Sequence, residues 1–407
     1  MKKLLPLYIA VAATLPGLFC FLFSVHPSPP ATAAIAGAAI LGASFLLLWA
    51  CDVAQNDIPQ ALALAVVALI AVLPEYAVDM YFTWMAGKHP ESDYAHFAIA
   101  NMTGANRLLI GVAWTLVAFL VWWRTKKPII LEGERRTEVL FLGLATAYAI
   151  SIPLSGSLTW VDGAVLIGLY VVYIAIAARR ECEEPELEGV ACVIGALPKG
   201  LRRLSTLGLF LFAAGVIVAN AEAFSEGLVA TGRIFGVNEF LLVQWLAPIA
   251  SEAPEVIVSV MFALRGMGGL ALGSLISSKL NQWTLLVGMI PGVYGVSSGS
   301  FAVPIPLDGV QMHEIMLTAA QSLLAVGLLA GLRLDIRGAL LLFGLFLGQF
   351  LAPAVPEAFW NLFPGHLDGN EVHFLFTFLY IGVFALMLPR TGRHLLALVR
   401  PARHSAS

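Results

Sequence analysis

Charge is the scarcest property of this 407-residue sequence. Only 12% of its residues are Asp, Glu, Lys or Arg, about half of the roughly 25% usual in a soluble domain. The formal net charge of -3 carries little information, and no basic stripe is present, which excludes nucleic acid as a partner. Cysteine is nearly absent: Cys20, Cys51, Cys182 and Cys192 have no metal-ligand spacing and read as free thiols. Long polar segments are missing too, which leaves no room for a soluble substrate domain or an ion-sensing regulatory domain. No resident cofactor is expected, and oligomeric state is not legible.

What fills the chain is apolar residue, 59% of the total. Runs of roughly 17 to 25 apolar residues are spanning candidates, and twelve are found, at about 4–24, 32–56, 59–86, 94–123, 137–152, 158–178, 204–231, 238–264, 268–299, 313–332, 336–353 and 371–389. The expected fold class is therefore an all-α polytopic membrane protein with the lipid bilayer as its surroundings. The basic segments (Lys2 and Lys3, 124–136, 179–203, 333–337, 390–403) alternate with connections that have no Lys or Arg at all, at 25–31, 153–157, 300–312 and 354–370. By the positive-inside rule both termini are expected on the cytoplasmic side of a cell (inner) membrane. The first run follows a basic end but lacks a small-residue cleavage site, so it reads as an uncleaved helix.

Two stretches resemble each other. Residues 71–109 contain Pro74, Glu75 and Asp79, then Asn101, Thr103, Gly104 and Asn106; residues 247–283 contain Ser251, Glu252, Pro254 and Glu255, then Ser274, Ser277, Ser278, Lys279 and Gln282. Each reads Pro-Glu, an apolar helix, a short turn and a small polar helix start. Five spans separate the copies. Five is odd, so the copies lie in units of opposite orientation, an architecture of secondary transporters. The expected organisation is an extra N-terminal helix in 1–30, a first inverted repeat in 31–180, a cytoplasmic linker in 181–203, a second repeat in 204–355, and an extra helix with a cytoplasmic tail in 356–407.

The residue types point to cation chemistry. Each proline removes an N–H and presses on the carbonyl four residues back, Ile70 for Pro74 and Ala250 for Pro254, which is expected to bend or unwind the helix. Freed carbonyls beside a glutamate are hard cation ligands, and two glutamates from two crossing helices neutralise one divalent ion. Calcium accepts 6 to 8 oxygens in flexible geometry, and the motifs supply carboxylates, amides and hydroxyls. Gly104 and Gly273 are expected to permit close helix approach. No imidazole or thiolate lies in either motif, which disfavours zinc or copper. Other roles stay open: Asp79 as an interface residue, Glu252 and Lys279 as a mutual pair, and Asp52, Asp57, Glu222 and Glu226 as structural or access groups. A membrane enzyme using Glu75, Asp79 and Glu255 as catalytic carboxylates is disfavoured because no His lies in either motif.

These motifs resemble the two alpha repeats of the sodium/calcium exchanger superfamily over about residues 40–123 and 208–290. LPE at 73–75 and APE at 253–255 are similar to its Gly-Thr-Ser-x-Pro-Glu segment; TGANRLL at 103–109 and ISSKLNQ at 276–282 are looser matches to Gly-Ser-Asn-x-x-Asn/Asp. The resemblance implies a secondary antiporter with Glu75 and Glu255 as the central calcium ligands. The wider ligand set is then Asp79, Glu252, Ser251, Asn101, Thr103, Asn106, Ser278 and Gln282. The family has ten core helices, so the first and last spans are additions. Calcium export in exchange for sodium is the default expectation, with a calcium/proton antiporter or a non-transporting relative as alternatives. Departures favour the proton or fewer sodium ions. The chain has Ala71 and Val72 where the family has Thr-Ser, Ala105 where it has Ser, Leu109 and Gln282 where it has Asn or Asp, and Lys279 where it has Asn.

Overall fold

In a computed structural model the described residues are 4–57, 72–179, 187, 189–301, 303–352, 355 and 369–399. The order of elements is α1 (Leu5–Leu22), α2 (Pro29–Ala54), α3 (Leu73–Lys88), α4 (Tyr94–Leu108), a π-helical turn at Leu109–Trp114, α5 (Thr115–Thr125) and β1 (Ile129–Ile130). There follow α6 (Arg136–Ala149), α7 (Ser151–Ser155), β2 (Ser157–Leu158), α8 (Trp160–Ala177), α9 (Gly189–Gly195) and α10 (Lys199–Phe235). The rest is α11 (Glu239–Leu264), α12 (Gly268–Asn281), a second π-turn at Gln282–Leu286, α13 (Val287–Ser298), β3 (Ile305–Pro306), α14 (Gly309–Leu329), β4 (Arg333–Leu334), α15 (Ile336–Leu351) and α16 (Gly369–Val399).

The chain is an all-helical polytopic membrane protein, since every backbone polar group in lipid must find its partner within the chain. Among the described residues nine helices are long and apolar enough to cross a membrane. Three of the twelve expected spans differ. The run at 268–299 is α12, the π-turn and α13 in succession and is not among the nine; Ile336–Leu351 is a shorter apolar helix; and residues 58–71, which include most of the first half of the span at 59–86, lie outside the described residues, as do Cys182 and the tail beyond 399. Part of the stretch read as a linker is helical, in α9 and the start of α10.

The residues group into two compact units: Met1–Ala105, Val171–Pro254 and Met289–Val303 form one, and Asn106–Tyr170, Glu255–Gly288 and Pro304–Ser407 the other. Each takes segments from both halves of the chain. In the first unit α2 packs along α10 through small residues. A Cβ on Gly227 would stand 2.8 Å from the Ala33 backbone nitrogen, and one on Gly37 would stand 2.9 Å from the Phe224 ring. Small residues at such crossings let backbones approach where water supplies no drive for association. Ala10, Ala39, Ala43, Leu46, Leu47, Ala213, Val216 and Ile217 continue this core toward α1.

The second unit carries two short antiparallel ribbons. Ile129 and Ile130 pair with Leu334 and Arg333, and Ser157 and Leu158 pair with Pro306 and Ile305. Both halves of the chain read helix, π-turn, helix, strand, helical segment, strand, helix, and in the first half the segment between the strands is divided into a 3-10 turn at Gly133–Arg135, α6 and α7. In that order β1 corresponds to β3 and β2 to β4, so exchanging the halves exchanges the two ribbons. The pairing has the form of a two-fold relation between the halves.

Candidate functional site

In the first unit the motif rests on α3, α4 and α11. Pro74 stands in the first turn of α3 and Glu75 follows it. Proline at a helix start leaves unmade an N–H bond the helix would lack anyway, and a carboxylate there meets the positive end of the helix dipole. Pro74 therefore begins a helix here. The Ile70 carbonyl and Ala71 lie outside the described residues. Glu75 is 1% exposed, and Asp79, one turn on, is fully buried. Asn101 of α4 donates from Nδ2 to Asp79 Oδ1 at 2.7 Å. The other Asp79 oxygen and the Thr83 hydroxyl, another turn along, are buried without a protein partner.

Pro248 and Pro254 both lie inside α11, which stays helical throughout Glu239–Leu264. The helix is not unwound at Pro254, which corrects that part of the expectation. Each proline leaves the carbonyl four residues back without its helical donor, and the helix continues past both. The carbonyl freed by Pro248 belongs to Gln244. It lies against Gly104 so closely that a Cβ there would be 1.8 Å from that oxygen. Gly104 thus does permit close helix approach, as its sequence position suggested. Gly273 does not serve a backbone crossing: its missing Cβ leaves room for the Arg135 guanidinium, whose Nε would be 2.7 Å away.

Ser251 and Glu252 are buried on α11. The Ser251 hydroxyl donates to the carbonyls of Ala247 at 3.4 Å and Pro248 at 3.3 Å, and the Thr103 hydroxyl donates to those of Ile99 at 2.7 Å and Ala100 at 3.2 Å. Gln244 is fully buried and was missed in the sequence. An amide inside an apolar span was the available signal.

The second unit holds the other part of the motif. Ser278 of α12 donates a hydrogen bond to Glu255. Lys279, fully buried, donates from Nζ to Asn106 Oδ1 at 2.6 Å and lies 4.2 Å from the Trp283 ring centroid. Asn106 and Lys279 are equivalent positions of the two copies. Leu109 and Gln282, also equivalent, each open a π-turn, and π-turns inside helices mark functional positions more often than chance. Neither turn is legible in the sequence, because the helical periods involved cannot be told apart over one turn.

Of the groups flagged as structural or access residues, Asp57 and Glu226 have clear partners. Asp57 accepts from Arg202 Nε at 2.7 Å, Arg202 Nη2 at 2.9 Å and Arg203 Nε at 3.0 Å. The Arg202 guanidinium is the main cause holding the Asp57 carboxyl down at about 2. Glu226 accepts from the Tyr81 and Tyr94 hydroxyls at 2.9 and 2.6 Å. Among the described residues no disulfide is formed, and no three His, Cys, Asp or Glu converge as a resident metal site. The arrangement suits a transiently held hard cation, with few carboxylates and many neutral oxygens.

Comparison with known proteins places these features. The family model for the sodium/calcium exchanger protein matches residues 29–179 and 205–352. An uncharacterized membrane protein of Methanocaldococcus jannaschii is 26% identical over 255 residues, covering 62% of this chain and 74% of its own length. A protein described as a candidate antiporter, CaxA, of Alkalimonas amylolytica is 23% identical over 264 residues, covering 61% and 79%. Among solved structures, the crystal structure of the H+/Ca2+ exchanger CAX superposes with a TM-score of 0.89 at 42% identity, over 98% of this chain and 97% of that one. The sodium-calcium exchanger NCX_Mj, soaked with 100 mM Na+ and 10 mM Sr2+, shares the fold at a TM-score of 0.52 and 19% identity, over 78% and 96%.

Proposed function

Because this chain belongs to the sodium/calcium exchanger family, a family of membrane cation antiporters rather than enzymes, we propose that it exports calcium in exchange for protons. The sequence reading put sodium first and the proton second; the order is reversed here. The observation that carries the reversal is the buried Lys279 ammonium on Asn106. At the meeting point of the two copies, a tethered cation stands where an amide of the sodium-binding pattern would stand. Ala105 likewise supplies no hydroxyl. The similarity to an H+/Ca2+ exchanger at 42% identity supports the same reading.

In this reading Glu75 and Glu255 are the two acidic ligands of the transported calcium. Asp79 and Glu252 are further acidic groups, and Ser251, Asn101, Thr103, Asn106, Ser278 and Gln282 supply neutral oxygens. The two central carboxylates accept either one divalent cation or protons. Carrying buried charge through the membrane uncompensated is costly, so the empty centre does not reorient, and the cycle is an exchange. Ser278 fixes one Glu255 oxygen and leaves the other for the ion. Lys279 takes the place of one coupling cation and never leaves.

The halves act as two inverted five-helix repeats, 31–180 and 204–355, around this centre, with α1 and α16 added outside. The reciprocal ribbons and the Asn106–Lys279 contact support that arrangement. The Lys/Arg bias favours both termini on the cytoplasmic side. Addition of calcium to sodium-free proteoliposomes loaded with a pH-sensitive dye tests the reading. Proton efflux coupled to calcium entry is expected; calcium entry without any pH change would contradict it.

A further inference from the structure

The second unit contains a buried ionic cluster outside the Pro-Glu motifs. Arg107 is fully buried, and its guanidinium pairs with Glu314 of α14, which is 1% exposed. The second Glu314 oxygen stands 2.6 Å from His373 Nδ1. His373 lies on α16, beyond the residues that the family model matches. Gln321, two turns beyond Glu314, donates from Nε2 to the Arg107 carbonyl at 3.3 Å. Tyr380, on the same face of α16 as His373, is fully buried within electrostatic range of Arg107, and its hydroxyl has no protein partner.

We propose that Glu314 and His373 form a proton-binding site, separate from the carboxylate centre, whose charge is relayed through Arg107 to the motif helix α4. Imidazole is the side chain whose charge ordinarily changes near neutral pH. With His373 neutral, the Glu314 carboxylate keeps its pairing with the Arg107 guanidinium. With His373 protonated it is shared between two, and the cluster gains a positive charge. Arg107 directly follows Asn106, the acceptor of Lys279, and precedes the π-turn by two residues. Its side chain and carbonyl are both tied to α14, so a weaker hold by Glu314 acts at the end of the helix carrying Asn101, Thr103 and Asn106. Added positive charge there opposes binding of a divalent cation.

Among the described residues, the elements packed on α16 bring these other ionisable groups. α14 brings His313, whose ring lies tilted against Phe374 at 5.2 Å. α15 carries the exposed Arg337. α6 carries the half-buried Arg136, Glu138 held by Arg135 at 2.8 Å, and Tyr148, which donates to Asp162 at 2.8 Å. On α16 itself Arg390, Arg393 and His394 lie four or more turns beyond His373.

The proposal rests on the chain being a calcium antiporter, and the test separates the two. Calcium affinity of the purified full-length protein is measured from pH 5.5 to 8 for wild type, His373→Gln and His373→Phe. By linkage, one coupled proton contributes a slope of up to about one in log affinity per pH unit. Wild-type affinity falls toward acid pH, and both variants bind calcium with a slope reduced by as much as one, because neither replacement titrates. Glutamine retaining the wild-type slope while phenylalanine alters affinity would mean a packing or hydrogen-bonding role and overturn the site. Equal slopes in all three proteins would overturn it while leaving proton coupling intact. A wild-type affinity independent of pH would overturn both.

Discussion

Gly104→Ala is the smallest change that reaches the centre of the first unit. A methyl group at Gly104 would sit 1.8 Å from the Gln244 carbonyl oxygen and 2.7 Å from its carbon. Close carbon–oxygen contacts between helices settle at about 3.3 to 3.6 Å, so α11 must move about 1.5 Å. Both obstructing atoms are backbone, so no rotamer change relieves them. Alanine recovers about 1 kcal/mol of helix propensity over glycine, but overpacking costs about 1–3 kcal/mol and occasionally more. With backbone as the obstacle the upper end applies, giving a net loss of about 2 kcal/mol. The displacement also moves Ser251 and Glu252 relative to Asn101 and Thr103. Gly168→Ala in α8, with nothing within 4 Å, is the control and is expected to be neutral or stabilising by about 0.5–1 kcal/mol. Thermal unfolding in detergent followed by calcium transport in liposomes reads both variants. A Gly104→Ala protein as stable and as active as wild type would refute the close approach and the role assigned to it.

Three other expectations follow from the described contacts. Glu314→Gln leaves the Arg107 guanidinium buried without its carboxylate and is expected to lose about 3–5 kcal/mol of stability, while Arg107→Met with Glu314→Leu recovers most of it; a double variant as unstable as the sum of the singles would argue against the pair. Asp57→Asn lowers stability at neutral pH. The Asp57 carboxyl is held at about 2, mainly by Arg202, below its ordinary unfolded value of about 3.9. That contribution is complete above the unfolded value and fades as pH falls toward the folded one. Melting curves of variant and wild type should therefore converge near pH 2 and separate above about pH 4. Lys279→Asn restores the amide found in the sodium-coupled pattern and is expected to make calcium uptake respond to a sodium gradient, which the wild type should ignore.

What was legible in the sequence depended on repetition. Glu75 and Glu255 stood out because Pro-Glu recurs in apolar surroundings, and the polar groups at Asn101 and Ser278 followed from the same comparison, although they lie in the middle of α4 and the last turn of α12 rather than at helix starts. Unwinding at Pro254 was misjudged, because a proline dictates loss of one hydrogen bond but not the end of the helix around it. Gln244, Arg107, Glu314 and His373 escaped notice because they are single polar residues in separate spans, with no second copy to draw attention. Their partners lie as many as 214 residues apart. The two-residue strands were equally invisible, since nothing local marks Ile129 for Leu334. Gly273 illustrates the limit of a residue-type rule, because its small size accommodates an arginine rather than a helix.

The central claim is that protons, not sodium, exchange for calcium at Glu75 and Glu255. Radioactive calcium uptake into proteoliposomes under separately imposed proton and sodium gradients, with wild type beside Glu255→Gln, tests it most directly. Uptake driven by the pH gradient in sodium-free medium, unaffected by a sodium gradient and abolished in a folded Glu255→Gln protein, is the predicted result. Uptake that follows the sodium gradient, or that persists in Glu255→Gln, would contradict the account.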